Sequence, residues 1–333
     1  MSGFVHPLRK IRRLRSAGFS LLEMLTAFAV FTLMLVMLFS VISHTSDVWR
    51  GAKSRIESFQ TARNAFETVT RNLSQATLNT YWRYDNPSNP TRYLRTSDLH
   101  FVVDRAGTAL PGKANTGQAV FFQAPSGVTA TNSLRGLDSL LTGLGYYVDF
   151  CSDKGYRPQN LTTPETHRYR LMQLRIPAES LTVHASTNAT DYTWITSQTN
   201  RCTFPVADNI ILLAVWPRLA EQEDASGSGL TSDFSYNSRR NALNQPQPRT
   251  AAQLPPIIEV AMVAVDESSA RKTANEATPP GAIEDALAGK FLTSDRQTYE
   301  QDLKDLEAAL TAAHVKYRIF RSSVPLRESK WSE

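Results

Sequence analysis

The chain has 333 residues, 41% hydrophobic and 9% aromatic, a composition that excludes a disordered chain and can build one large or two small domains. Its formal charge is +5, yet five of its 36 basic residues (Arg9, Lys10, Arg12, Arg13 and Arg15) crowd into residues 1–18 without a single acid, so the remaining bases match the 31 acids. A nucleic-acid partner is therefore not expected from the charge, and two cysteines without C-x-x-C spacing exclude a disulfide-dense scaffold and a cysteine zinc site.

The basic stretch leads into an apolar run, Phe19 to Ile42, whose only charged residue is Glu23. About 24 residues at roughly 1.5 Å each span about 36 Å, enough to cross a bilayer as a helix (residues 19–43). The bases before the run hold the N-terminus in the cytoplasm by the positive-inside rule and put the rest of the chain across the membrane. An ordinary secretory signal has its small residues after the apolar run, whereas here Ser16-Ala17-Gly18 precede it. A carboxylate inside such a run costs about 2.5–3.5 kcal/mol on insertion scales, which makes Glu23 a candidate functional group.

No proline occurs between Pro7 and Pro87, and Gly51 is the one glycine between Gly18 and Gly107, so the helix is predicted to continue to about Thr80. In residues 44–80 the apolar positions Ile56, Phe59, Ala62, Phe66, Val69, Leu73 and Ala76 recur at spacings of three and four, opposite Lys53, Arg55, Glu57, Arg63, Glu67 and Arg71. Residues 81–333 then read as an α+β head. Short β-branched and aromatic segments at 99–103, 119–123, 144–150, 168–176, 210–216, 257–266 and 317–324 predict an antiparallel sheet, or two, packed on the outer half of the helix. Residues 221–256, low in large apolar side chains, predict a long surface loop. Residues 294–313 predict an amphipathic helix opened by a capping box of Ser294 and Gln297, with Tyr299, Leu303, Leu306 and Leu310 on its apolar face.

Enzyme signatures such as H-E-x-x-H, G-x-S-x-G, a Walker loop or a Rossmann glycine pattern are absent, and no catalytic residue, cofactor or metal is expected. The six histidines (His6, His44, His100, His167, His184 and His314) are scattered singly and read as surface or satisfied core residues. Asp302 with Asp305, and Glu221 with Glu223 and Asp224, read as solvated charge. Cys151 and Cys202 allow either one disulfide or two unpaired thiols.

Gly18-Phe19-Ser20-Leu21-Leu22-Glu23 resembles the type III signal of type IV pilins and type II secretion pseudopilins. The resemblance implies that prepilin peptidase cuts between Gly18 and Phe19 and that Phe19 is N-methylated. It also implies that Glu23 pairs with the N-terminal amine of a neighbouring subunit during assembly. Tyr146-Tyr147-Val148, Tyr169-Arg170-Leu171, residues 210–216 and Leu254-Pro255-Pro256-Ile257 resemble the minor pseudopilin J of type II secretion. The closing Tyr317-Arg318-Ile319-Phe320-Arg321 resembles the tail of Verru-Chthon cassette protein C. The function so implied is that of a structural minor pilin or pseudopilin, low in copy or near the tip of a filament. Its expected partners are prepilin peptidase, other pilins or pseudopilins and the inner-membrane assembly machinery, and it passes from the inner membrane, with its head in the periplasm, into the filament. The rivals are a pilus-borne adhesin or DNA-uptake module, whose basic patch would be Arg239, Arg240 and Arg249, and a membrane-tethered enzyme.

Overall fold

The structure, a computed structural model, describes residues 20–113, 117–158, 160, 162–220, 222–224, 230–244, 246–271 and 277–329. The chain divides into two compact units, one ending at Lys53 and one beginning at Ser54. One continuous helix, Leu21–Leu73, runs through both, as the lack of proline allows.

In the second unit this helix buries Ala62, Ala65, Phe66, Val69 and Leu73. Ile56, expected on the same face, is exposed. The helix also ends earlier than Thr80. The Ser74 hydroxyl donates to the Arg71 carbonyl at 2.7 Å, Gln75 and Ala76 close 3₁₀-type bonds, and Thr77 donates instead to Gln123 at 2.9 Å. Polar side chains in 74–80 thus compete with the helical ladder and turn the chain into the sheet.

Eleven strands follow among the described residues: β1 (Tyr81–Tyr84), β2 (Tyr93–Thr96), β3 (Val102–Arg105), β4 (Gln118–Pro125), β5 (Leu141–Ser152), β6 (His167–Ile176), β7 (Thr203–Asp208), β8 (Ile210–Arg218), β9 (Tyr236–Asn237), β10 (Ile257–Val265) and β11 (Tyr317–Pro325). They form a β1-β2 hairpin, a six-stranded sheet ordered β7-β6-β5-β4-β3-β9 and a three-stranded sheet ordered β11-β10-β8, antiparallel throughout. The α+β expectation holds, and the seven expected strands have counterparts, the first of them shifted from 99–103 to Val102–Arg105. The expectations missed β1, β2, β7 and β9. Pro205 sits where β7 slips register against Leu171 and Met172, at the sheet edge where a missing donor costs least.

The six-stranded sheet is buried on both faces, with side chains alternating at the strand period of two. Val103, Val120, Phe122, Leu144, Tyr146 and Leu171 join the helix and the three-stranded sheet in the main core. Val102, Phe121, Tyr147, Met172, Leu174 and Ile176 join a second cluster capped by Leu181, Trp194 and Ile195. The helix is pinned to this sheet through Tyr146, whose hydroxyl accepts from Asn72 and Gln173, both at 2.6 Å. Two glycines permit the packing. A Cβ on Gly145 would lie 2.3 Å from its cross-strand neighbour Phe121, and one on Gly117 (φ +90°) would lie 2.5 Å from the Leu213 carbonyl oxygen.

The described stretches 230–244 and 246–256 of the region expected as a surface loop are irregular apart from β9, but they are anchored in the head rather than lying free on the surface. Phe234 packs in an aromatic cluster with Trp216, Phe291 and Tyr299 at centroid distances of 5.1–6.3 Å. Tyr236, on the edge strand β9, stacks edge-on against Phe101 and donates to the Gln253 carbonyl at 2.9 Å. The buried Arg95 donates to the carbonyls of Pro248, Arg249 and Ala251, so the polar segment is held by its own backbone acceptors. The helix expected at 294–313 spans Arg296–Ala312 and buries Tyr299, Leu303, Leu306 and Leu310. Its cap is Asp295, which accepts from the Thr298 backbone at 2.9 Å, one residue later than the expected Ser294.

Candidate functional site

The leader, the junction at Gly18 and Phe19 and the methylation position all lie outside the described residues. The described chain opens on Ser20, whose hydroxyl accepts from the Glu23 backbone N–H at 3.2 Å while its carbonyl takes the first helical bonds. Ser20-x-x-Glu23 therefore carries one half of a capping box, which puts the Glu23 carboxylate in the first turn, where the helix dipole favours an anion. That second reason for an acid at this position was legible in the sequence and missed.

From Met24 to Thr45 the helix is exposed on every face. Its most apolar window has a mean hydropathy of 2.5 with none of it buried, so by length and composition this helix can cross a membrane. Leu21, Phe28, Leu33 and Phe39 are each more than half exposed. Covering any one of them gains about 1.5–3 kcal/mol. Three threonine hydroxyls in and just after the run are satisfied by the helix itself: Thr26, Thr32 and Thr45 donate to the carbonyls of Glu23, Phe28 and Val41 at 2.8–3.0 Å. Among the described residues, no cation pairs with the Glu23 carboxylate. The arrangement leaves an exposed apolar helix with one carboxylate near its start.

Inside the head, the cysteines do not form the bridge that was one of the two expectations. Both are free. Cys151 on β5 pairs with Arg168 of β6, whereas Cys202 precedes Thr203 of β7, which pairs with Leu174 of β6. At about 3.3 Å per residue those positions are about 20 Å apart along β6, far beyond the roughly 7 Å between Cα atoms that a disulfide spans. Burial pushes both thiols above their ordinary range, which leaves them poor nucleophiles.

One titratable cluster is assembled from distant segments. His100 lies before β3, Asn237 on β9, and Tyr192 and Trp194 at a short helical turn. His100 Nε2 is 2.8 Å from Asn237 Oδ1, and Trp194 Nε1 donates to His100 Nδ1 at 3.3 Å. Asn237 in turn donates to the Ala189 carbonyl at 2.8 Å. These contacts suit a neutral imidazole with its proton on Nε2. Burial, with the nearby Arg239, lowers its pKa to about 3. Such a histidine organises a core and offers no proton near neutrality. No spacing in the sequence announces the cluster.

The other expected groups are dispersed. Asp302 accepts from the Phe291 backbone and Asp305 from the Gln301 amide. Glu223 and Asp224 accompany a turn, and Glu221 lies outside the described residues. Among the described residues, no three histidine, cysteine, aspartate or glutamate side chains converge on a point that could hold a metal. The basic patch of the DNA-binding alternative is not formed as expected: Arg240 and Arg249 are exposed, but Arg239 is buried and donates to the carbonyls of Asp98 and Val183. No family model, curated protein or solved structure matches the chain.

Proposed function

We propose that this chain is a structural minor pilin or pseudopilin. It is trimmed by prepilin peptidase between Gly18 and Phe19, N-methylated at Phe19, and moved from the inner membrane into a periplasmic or surface filament. The observation that carries this proposal is the union, in one uninterrupted helix, of a bare apolar stretch headed by Glu23 with a stretch whose apolar face the head buries.

The chemistry of assembly follows from the cost of a buried carboxylate. Alone in a bilayer Glu23 costs about 2.5–3.5 kcal/mol, and the ammonium exposed by cleavage at Phe19 is likewise uncompensated. Bringing the amine of one subunit to Glu23 of the next offsets both penalties and favours one axial register. The five leader bases orient the precursor with its head in the periplasm and leave with the leader. The large head suits a low-copy or tip position, because bulky heads crowd a repetitive shaft.

Glu23→Val tests the proposal. The variant is expected to insert and to be processed like the natural chain but to be absent from sheared filaments. Incorporation at the natural level contradicts the proposal.

A further inference from the structure

The apolar run closes at Ile42, and the residues that follow it, Ser43-His44-Thr45-Ser46-Asp47, are all polar. The helix then sets Val48 and Trp49 in the open, 73% and 65% exposed, beside the exposed Arg50 and Lys53. All four belong to the first compact unit.

Their height above the run is that of a membrane interface. Hydrocarbon takes about 30 Å of a bilayer and the polar layers bring it to about 40–45 Å, so each headgroup layer is about 5–8 Å deep. At about 1.5 Å per residue the Trp49 backbone stands about 10 Å beyond Ile42. Helical side chains lean back toward the N-terminus, which here is toward the apolar run. The two cations show that lean: Lys53 Nζ lies 5.6 Å from the Trp49 ring centroid, one turn below it, and Arg50 Nη2 lies 3.7 Å from Asp47 Oδ1. A lean of one turn brings these groups about 5 Å lower, into the headgroup layer.

The chemistry matches that layer. An indole is at home where one end is apolar and the other wet. The Arg50–Asp47 pair is exposed on both sides and therefore weak, so the guanidinium can exchange the carboxylate for a phosphate, which it binds through two parallel donors. Asp47 cancels one of the two cations, and one net positive charge remains for an anionic surface. We propose that Val48, Trp49, Arg50 and Lys53 form a collar seated in the phospholipid headgroups on the head's side of the membrane. Arg50 and Lys53 meet lipid phosphates there, and the collar holds the helix at one depth. This deepens the proposed function and rests on its membrane-spanning helix.

The full chain in vesicles of phosphatidylethanolamine and phosphatidylglycerol tests the collar, with bromine placed either near the headgroup end of the acyl chains or at their tips. The chain has five tryptophans, so Trp49 is read as the difference between the natural chain and Trp49→Phe. Bromine near the headgroups is expected to quench that difference about twofold more than bromine at the tips. Solid-state NMR of the same vesicles is expected to show lipid phosphorus dephasing an arginine guanidinium carbon, and Arg50→Gln, at an exposed position, to lower that signal about twofold. Equal or stronger quenching from the tips, no quenching from either position, or dephasing unchanged in Arg50→Gln overturns the assignment. Vesicles from which alkaline carbonate strips the chain contradict the membrane-spanning reading itself, and the collar with it.

Discussion

Leu33 and Leu73 sit on the same helix, yet Leu33 is 59% exposed and Leu73 is completely buried. The backbone does not separate them, because helix continuity depends on local features that both halves share. What differs is the company: after Ser54 the head supplies the apolar partner, while the first stretch has apolar side chains on every face and none of them covered by its own chain. A helix apolar all round is built for lipid or for other helices, and one apolar on a single stripe is built for a protein core.

Substitutions can break this contrast. Phe66→Ala or Leu73→Ala in the buried stretch is expected to destabilise the head by about 3–5 kcal/mol, the usual cost of a large-to-small core change. Leu33→Ala is expected to stay within about 0.5 kcal/mol in the same denaturant titration in detergent. Equal effects at Leu33 and Leu73 would erase the distinction.

The head's polar interior gives the next largest effect. His100 has a folded pKa of about 3 against an ordinary 6.5, so both states are neutral above pH 6.5 and the head is then at full strength. As pH falls below 6.5 the unfolded chain takes up a proton that the folded chain refuses until near pH 3, so stability drops across that window. The loss from this one group is on the order of 3 kcal/mol by pH 4. Unfolding measured between pH 7 and 4 should show it, and His100→Gln should flatten that part of the profile; an unchanged slope would count against a buried neutral histidine.

Gly145→Ala sharpens the picture of a sheet packed on both faces. The added methyl meets Phe121, and a loss of about 1–3 kcal/mol in thermal unfolding is expected, whereas Gly51→Ala, with open space around it, should cost nothing. The smallest effect belongs to Asp295→Ala. Removing the cap on the last helix should cost about 1 kcal/mol, and Ser294→Ala should not reproduce that loss through capping.

How far the sequence was legible follows the range of the interactions. The long helix, the seven apolar strands and the stripe of Tyr299, Leu303, Leu306 and Leu310 depend on periodicity within one segment and could be read directly. The tie of Arg95 to carbonyls near residue 250, the burial of Phe234 and Tyr236 and the His100 cluster join residues far apart in sequence, which no local pattern encodes. The capping error at residue 294 was smaller: Ser294 and Asp295 are both good caps, and geometry chose the second. Of the candidate assembly site, Glu23 and the apolar run were evident at once, whereas the Ser20-x-x-Glu23 capping pattern, equally local, was overlooked until the hydrogen bond between the two residues drew attention to it.

The central claim is that the N-terminal helix begins its working life at Phe19. Mass spectrometry of the N-terminal peptide from membrane-extracted protein tests that most directly. The account predicts a chain beginning at N-methylated Phe19. A chain retaining Met1, or one cut beyond residue 40 with the apolar run removed, would contradict it.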